Sequence, residues 1–137
     1  MNSCNILGMK RVPLTVRAAE DAGKPALRER SLLDQDQAAE LVRLYKILAN
    51  DTRLRLLHAL ERAEELSVMD LAAEVGMKPQ AVSNQLQRLA DLQIVASRRE
   101  GSRLFYRNSD PCVTGLLDLG ICLLEETGRL PGGDGGA

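Results

Sequence analysis

Apolar residues recur at helical spacing along two adjoining stretches in the middle of the chain. Leu71, Ala72 and Val75 share one side of a short segment, Val68 to Val75. Gly76 follows, the residue type usual just past a helix end. Pro79 opens a second segment, where its fixed φ helps and its missing N–H costs nothing. Val82, Leu86 and Leu89 then repeat at i, i+4 and i+7, the mark of a buried helix stripe. The opposite side carries Gln80, Ser83, Asn84 and Gln87. Two helices joined by a tight glycine-containing turn make a helix-turn-helix. A second helix faced with hydrogen-bonding side chains suits the reading of base edges in a major groove.

The period changes directly afterwards. Ile94-Val95-Ala96 and Leu104-Phe105-Tyr106 are β-prone runs, and Glu100-Gly101 between them predicts a hairpin. Upstream, Ala38, Leu41, Val42, Tyr45, Ile47, Leu48 and Ala49 predict a helix with a broad apolar face. Asn50-Asp51 stops it, and Asp51 is placed to cap the next helix, Thr52 to about Ala63. That helix is expected to bury Leu54, Leu56, Leu57 and Leu60. Downstream, Pro111 to Thr127 is apolar on almost every side, with Val113, Leu116, Leu117, Leu119, Ile121, Leu123 and Leu124. A helix apolar all round is buried, and in so small a domain its burial partner is a second copy of the chain. The pattern predicts a mainly α fold with a small β-hairpin, a winged helix-turn-helix dimeric through its C-terminal helix.

The ends have no such period. Pro13, Gly23 and Pro25 interrupt residues 1–31, which read as a flexible arm with at most a short helix around Thr15–Ala22. Met9 is a second candidate start of translation, which would remove Cys4. The folded domain is expected over residues 32–128, and residues 129–137, ending Pro-Gly-Gly-Asp-Gly-Gly-Ala, form a disordered tail. A length of 137 residues fits one domain.

Charge sharpens the picture. The chain has a net charge of −1, yet Lys78 to Arg107 holds six basic residues against two acidic, a local net of +4. Arg98, Arg99 and Arg103 cluster on the hairpin, where phosphates would lie. Double-stranded operator DNA is therefore the expected partner. No apolar run approaches the ~20 residues of a membrane span, and no secretory signal is visible, so a cytoplasmic location is expected. Three cysteines without a CxxC argue against a disulfide scaffold or a zinc finger. There is no phosphate loop and no nucleophile paired with a base, and His58 is the single histidine, so enzymatic activity is not expected.

Leu44–Leu60 (LYKILANDTRLRLLHAL) and Glu65–Asp110 together resemble the ArsR/SmtB family of metal- and metalloid-responsive repressors. Three motifs carry the likeness. They are L-A-x-x-T-R-x-x-L-L from Leu48, A-V-S-x-Q-L-x-x-L from Ala81, and R-x-G-x-x-x-x-Y from Arg99. The likeness spans about Gln37 to Glu126. It implies a homodimer on a palindromic operator, released by an inducer and dimeric through its N- and C-terminal helices, with Leu41, Leu44, Leu116, Leu119 and Leu123 as the expected interface. One departure is Lys78, where family members commonly have a Ser capping the recognition helix; a lysine cannot accept the free N–H groups there.

The resemblance also implies where an inducer binds. At a thiolate site on the first helix of the helix-turn-helix this chain has Ser67 and Met69, so that site is absent. At a site on the C-terminal helices it has Asp110, Cys112, Leu123 and Glu126, with Cys122 beside Leu123. The family site there takes Asp and His from one protomer and His and Glu from the other, so the first histidine is Cys112 and the second Leu123 here, which favours soft ions over hard ones. Within one helix Cys112 and Cys122 lie ~15 Å apart along the axis, whereas co-ligating sulfurs sit within ~5 Å. Across an antiparallel helix pair they come alongside. Cys112 and Cys122 are thus the candidate ligands, with Cys4, Asp110, Glu125 or Glu126 as additional candidates. Arsenite, cadmium, mercury or zinc is the candidate inducer. Three alternatives stay open at this point: both thiols as small buried hydrophobes, a redox-gated repressor with a Cys112–Cys122 disulfide across the dimer, and an inducer-free DNA-binding or protein-docking module.

Overall fold

The computed structural model describes residues 23–131. The short helix expected around Thr15–Ala22, Met9, Cys4, and residues 132–137 of the tail lie outside the described residues. Among the described residues a 3-10 turn, Leu27–Glu29, precedes five helices and three strands: α1 Gln35–Leu48, α2 Asp51–Ala63, β1 Leu66–Ser67, α3 Val68–Val75, α4 Pro79–Asp91, β2 Val95–Glu100, β3 Arg103–Asn108 and α5 Pro111–Glu126. Among the described residues no helix is long and apolar enough to cross a membrane.

Caps set the helix starts. Asp34 begins α1 with a reciprocal capping box: its carboxylate accepts from Gln37 N at 2.8 Å, and Gln37 Oε1 accepts from Asp34 N at 3.0 Å. At α2 the cap is Asn50, not Asp51, since Asn50 Oδ1 accepts from Arg53 N at 3.0 Å. Asn and Asp cap about equally well, so residue type alone does not separate the two. Asp51 becomes the first helical residue, where its charge favours the helix dipole. The expected burial of Leu54 is also corrected. Leu56, Leu57 and Leu60 are fully buried, but Leu54 is 39% exposed, off the stripe that faces the core.

The helix-turn-helix follows its pattern closely. α3 buries Leu71, Ala72 and Val75 and ends on Gly76 at φ 72°. α4 buries Val82, Leu86 and Leu89, and Lys78 makes no side-chain cap bond. These residues pack with Leu56, Leu57 and Leu60 into one core, closed by Ile94, Val95, Tyr106 and Val113.

The hairpin is longer and better anchored than the pattern shows. Strands β2 and β3 pair antiparallel from Val95↔Asn108 to Glu100↔Arg103, turning at Gly101, whose φ is 64°. A third strand, β1, pairs with β3 through Leu66↔Tyr106 and Ser67↔Phe105, giving the order β1-β3-β2. The wing is thereby hydrogen-bonded to the residue that starts α3. Ser67 ends β1, is buried, and caps α3 by accepting from Asp70 N at 3.1 Å.

Candidate nucleic-acid interface and sensing helix

Helix α4 presents Gln80, Asn84 and Gln87 to solvent, while Ser83 is half-buried beside them. Gln80 Nε2 donates to Asn84 Oδ1 at 3.0 Å, which aligns two amide groups along one face. Gln80 and Ser83 share an open cleft of about 330 Å³ with Ser67, Met69, Pro79 and Arg103. The fold therefore brings the expected reading helix and one expected wing arginine to a single concave surface.

The wing arginines differ in their state. Arg98 is bound internally: Nε and Nη2 donate to the two Glu65 carboxylate oxygens at 2.8 and 2.7 Å, and Nη1 donates to Glu100 at 2.9 Å. Its guanidinium also lies 4.7 Å from the Phe105 ring centroid. The hydrogen bond from Arg98 holds the Glu65 carboxyl below the usual range, and the same bond raises Arg98. Arg103 is held more loosely, with Nη2 3.2 Å from Ser67 Oγ and 3.7 Å from Asp70. It too lies over Phe105, at 5.1 Å. Arg99 is exposed. Sequence reasoning missed Glu65, because its partner lies 33 residues away and no local pattern links them.

The C-terminal helix carries the expected ligands. Asp110 caps α5, its Oδ1 accepting from Cys112 N at 2.8 Å. That bond keeps the Asp110 carboxyl below the usual range. The hydrogen bond to Asp110 raises the Cys112 thiol above its ordinary value, and burial and the carboxylate charge add to it. Cys112 is exposed at the helix start, whereas Cys122 is only 2% exposed. Glu125 is half-buried and Glu126 exposed. Cys4 lies outside the described residues. Among the described residues of one chain, no three His, Cys, Asp or Glu side chains converge as a metal centre. The lone His58 is exposed on α2.

Helix α5 is also wired to the wing. Thr114 Oγ1 donates to Glu61 on α2, and Asn108 Nδ2, at the end of β3, reaches the same carboxylate oxygen at 3.5 Å. Asn108 also donates to the Leu57 carbonyl at 3.2 Å.

A helix with a polar outer face beside a basic wing on a three-stranded sheet is the arrangement of a winged helix-turn-helix protein. Comparison with known proteins agrees. A MarR family model matches residues 50–103, from the cap of α2 through the helix-turn-helix and β2 to the first residue of β3. The Synechocystis protein named a transcriptional repressor SmtB homolog is 39% identical over 85 residues. That alignment covers 62% of this chain and spans just under two thirds, 64%, of the relative. The crystal structure of AntR, titled an antimony-specific transcriptional repressor, is 59% identical. It covers 78% of this chain and 96% of its own, with a TM-score of 0.67. A homodimeric winged helix-turn-helix domain from Mycobacterium bovis, titled a possible ArsR-family regulator, is 33% identical with a TM-score of 0.60. It covers 71% of this chain and 92% of its own. Other relatives are named for resistance to cadmium, mercury or arsenicals. The chain belongs to the ArsR/SmtB family of transcriptional regulators.

Proposed function

We propose that this protein is a homodimeric repressor that leaves its operator when a thiophilic metal or metalloid binds at Cys112 and Cys122. Trivalent antimony and arsenic are the first candidates. The observation that carries the reading is Cys112, exposed at the start of a helix whose outer side is apolar, in a chain 59% identical to AntR. Cysteine sulfur is a soft donor, which suits soft ions. The ten-residue separation within α5 requires Cys112 of one protomer to meet the partner subunit's Cys122. Asp110, Glu125, Glu126 and Cys4 are candidate third ligands.

In the DNA-competent dimer, Gln80, Ser83, Asn84 and Gln87 face the major groove. Arg99 and Arg103 lie on phosphates, while Arg98, paired with Glu65, shapes the wing that carries them. Ligation shifts the equilibrium only if it favours the dimer that DNA does not. Cross-protomer ligation constrains the two α5 helices. The Thr114–Glu61–Asn108 contacts then carry a change in α5 to the wing. Half-sites about 34 Å apart tolerate little error in the spacing of the reading heads, and a coupling of ~1–3 kcal/mol is typical of such control.

The test is operator binding by wild-type, Cys112→Ser and Cys122→Ser proteins, titrated with antimonite, arsenite, cadmium or mercury under reducing conditions. Each variant should bind DNA normally and resist release. Release of Cys112→Ser at wild-type concentrations would remove Cys112 from the sensor.

A further inference from the structure

The T-R pair of the L-A-x-x-T-R motif lies outside the residues assigned above to base reading and ion binding. Thr52 and Arg53 sit in the first turn of α2, and Arg53 is half-buried. Its guanidinium makes two bonds to two different elements. Nη1 donates to the Ile47 carbonyl, in the last turn of α1, at 2.9 Å. Nε donates to Gln85 Oε1, on α4, at 2.7 Å. The carbonyls of a last helical turn lack partners within their own helix, so the first bond supplies one such partner. The second reaches the residue next to Asn84, on the inner side of the reading helix.

Helix α1 is otherwise attached lightly. Leu48 is its single buried residue, and Leu44 and Ile47 pack against the core from its last two turns. The rest of its apolar side, Leu41, Val42 and Tyr45, is exposed. The short junction at Ala49 and Asn50 and the Arg53 fork therefore fix how α1 sits against the domain that carries α4. A guanidinium holds its donors in one rigid plane, so it sets the angle between its acceptors as well as their distance. A lysine ammonium would be a point charge without that fixed fork.

We propose that Arg53 is a positioning residue that ties the dimerisation helix to the reading helix, and so sets the spacing of the two reading heads. The inference rests on the dimer argued above. Removing Arg53 or Gln85 should leave the base-contacting residues intact and loosen their placement relative to the two-fold axis.

The probe is a palindrome selected by the wild-type protein from random duplex DNA, together with versions lengthened or shortened by one base pair between half-sites. Arg53→Ala, Arg53→Lys, Gln85→Ala and the Arg53→Ala/Gln85→Ala double variant are compared with wild type. Each single variant should lose roughly tenfold or more in affinity for the selected spacing, the size expected from one charge-assisted hydrogen bond. Each should also discriminate less between spacings, sediment as a dimer and keep the wild-type salt slope. The double variant should be no worse than Arg53→Ala, because both changes break one link.

A merely structural residue would lower the melting temperature and weaken all spacings alike. Dimeric variants that keep the wild-type spacing preference overturn the proposal while leaving the dimer reading intact. A wild-type protein that sediments as a monomer on its operator overturns both. If Arg53→Ala does not fold, Gln85→Ala, which cuts one bond only, decides by the same criterion.

Discussion

Asp110 shows how much one side chain can settle. Its carboxylate caps α5 through Cys112 N and also faces the Cys112 thiol. The carboxyl is held below its usual range, so the stability it adds is full above that range and fades as pH falls through its folded value. The thiol is raised, so at neutral pH it stays protonated; its contribution fades as pH climbs past its ordinary value. Asparagine caps as well as aspartate but carries no charge. Asp110→Asn should therefore move the pH profile of Cys112 alkylation by iodoacetamide to lower pH, read by peptide mass mapping. An unmoved profile would show that Asp110 does not govern the thiol. The arginines of the wing separate in the same way. Arg103→Ala should weaken binding to all sequences and flatten the salt slope by about one unit. Arg98→Ala should weaken binding with the slope kept, because Glu65 and Glu100 already neutralise that charge. Equal slopes for both variants would place neither guanidinium, or both, on the backbone. Asn84→Ala or Gln87→Ala should instead relax sequence preference, by ~1–3 kcal/mol for a bidentate contact.

Elements with a strong period were legible, and elements made by distant partners were not. The bounds of α3, the start of α4 and all six of their expected core residues follow from spacing, Gly76 and Pro79 alone. The hairpin followed from β-prone runs about a Glu-Gly turn, and its observed turn at Gly101 agrees. Strand β1 escaped because two residues have no period; Leu66 and Ser67 are a strand only because Tyr106 and Phe105 lie beside them. Asn50 and Asp51 compete as equals for one cap, so the sequence offers no choice between them. The Arg98–Glu65 and Arg53–Gln85 bonds join residues 33 and 32 positions apart, beyond any local signal. Of the candidate site, the polar face of α4 was legible as a row. The internal engagement of Arg98 was not. Ser67 is where three elements meet: it ends β1, caps α3 and accepts from Arg103 of β3. Ser67→Ala should lower stability in urea by about 1 kcal/mol through the lost cap. A midpoint unchanged from wild type would mean that water or a neighbouring group replaces the hydroxyl.

At the scale of the whole molecule, the interior is closed on one side and open on the other. The middle of the fold has Leu56, Leu57, Leu60, Leu71, Leu86 and Leu89 fully buried. The outer helices leave Leu41, Val42 and Tyr45 of α1, and Ile121 and Leu123 of α5, exposed. Large apolar side chains left exposed along two terminal helices suit an association face, and a second copy related by a two-fold axis is the commonest way to cover one. The five residues expected at that interface divide on inspection. Leu44 and Leu116 pack against the core of their own protomer, and Leu119 is half-buried. Leu41 and Leu123 are exposed, Leu123 by 49%. A charge at Leu116 therefore tests folding, and a charge at Leu123 tests association. An unpaired charge forced into a sealed interface costs several kcal/mol, enough to dissociate a dimer at micromolar concentration. Leu123→Asp should sediment as a monomer while keeping the helical circular dichroism of the wild type, and Leu116→Asp should lose much of that signal. The monomer should bind a single half-site weakly and gain nothing from the second, since one chain has one reading helix. A Leu123→Asp protein that stays dimeric would move the interface away from α5, and the cross-protomer ligation of Cys112 and Cys122 would fall with it.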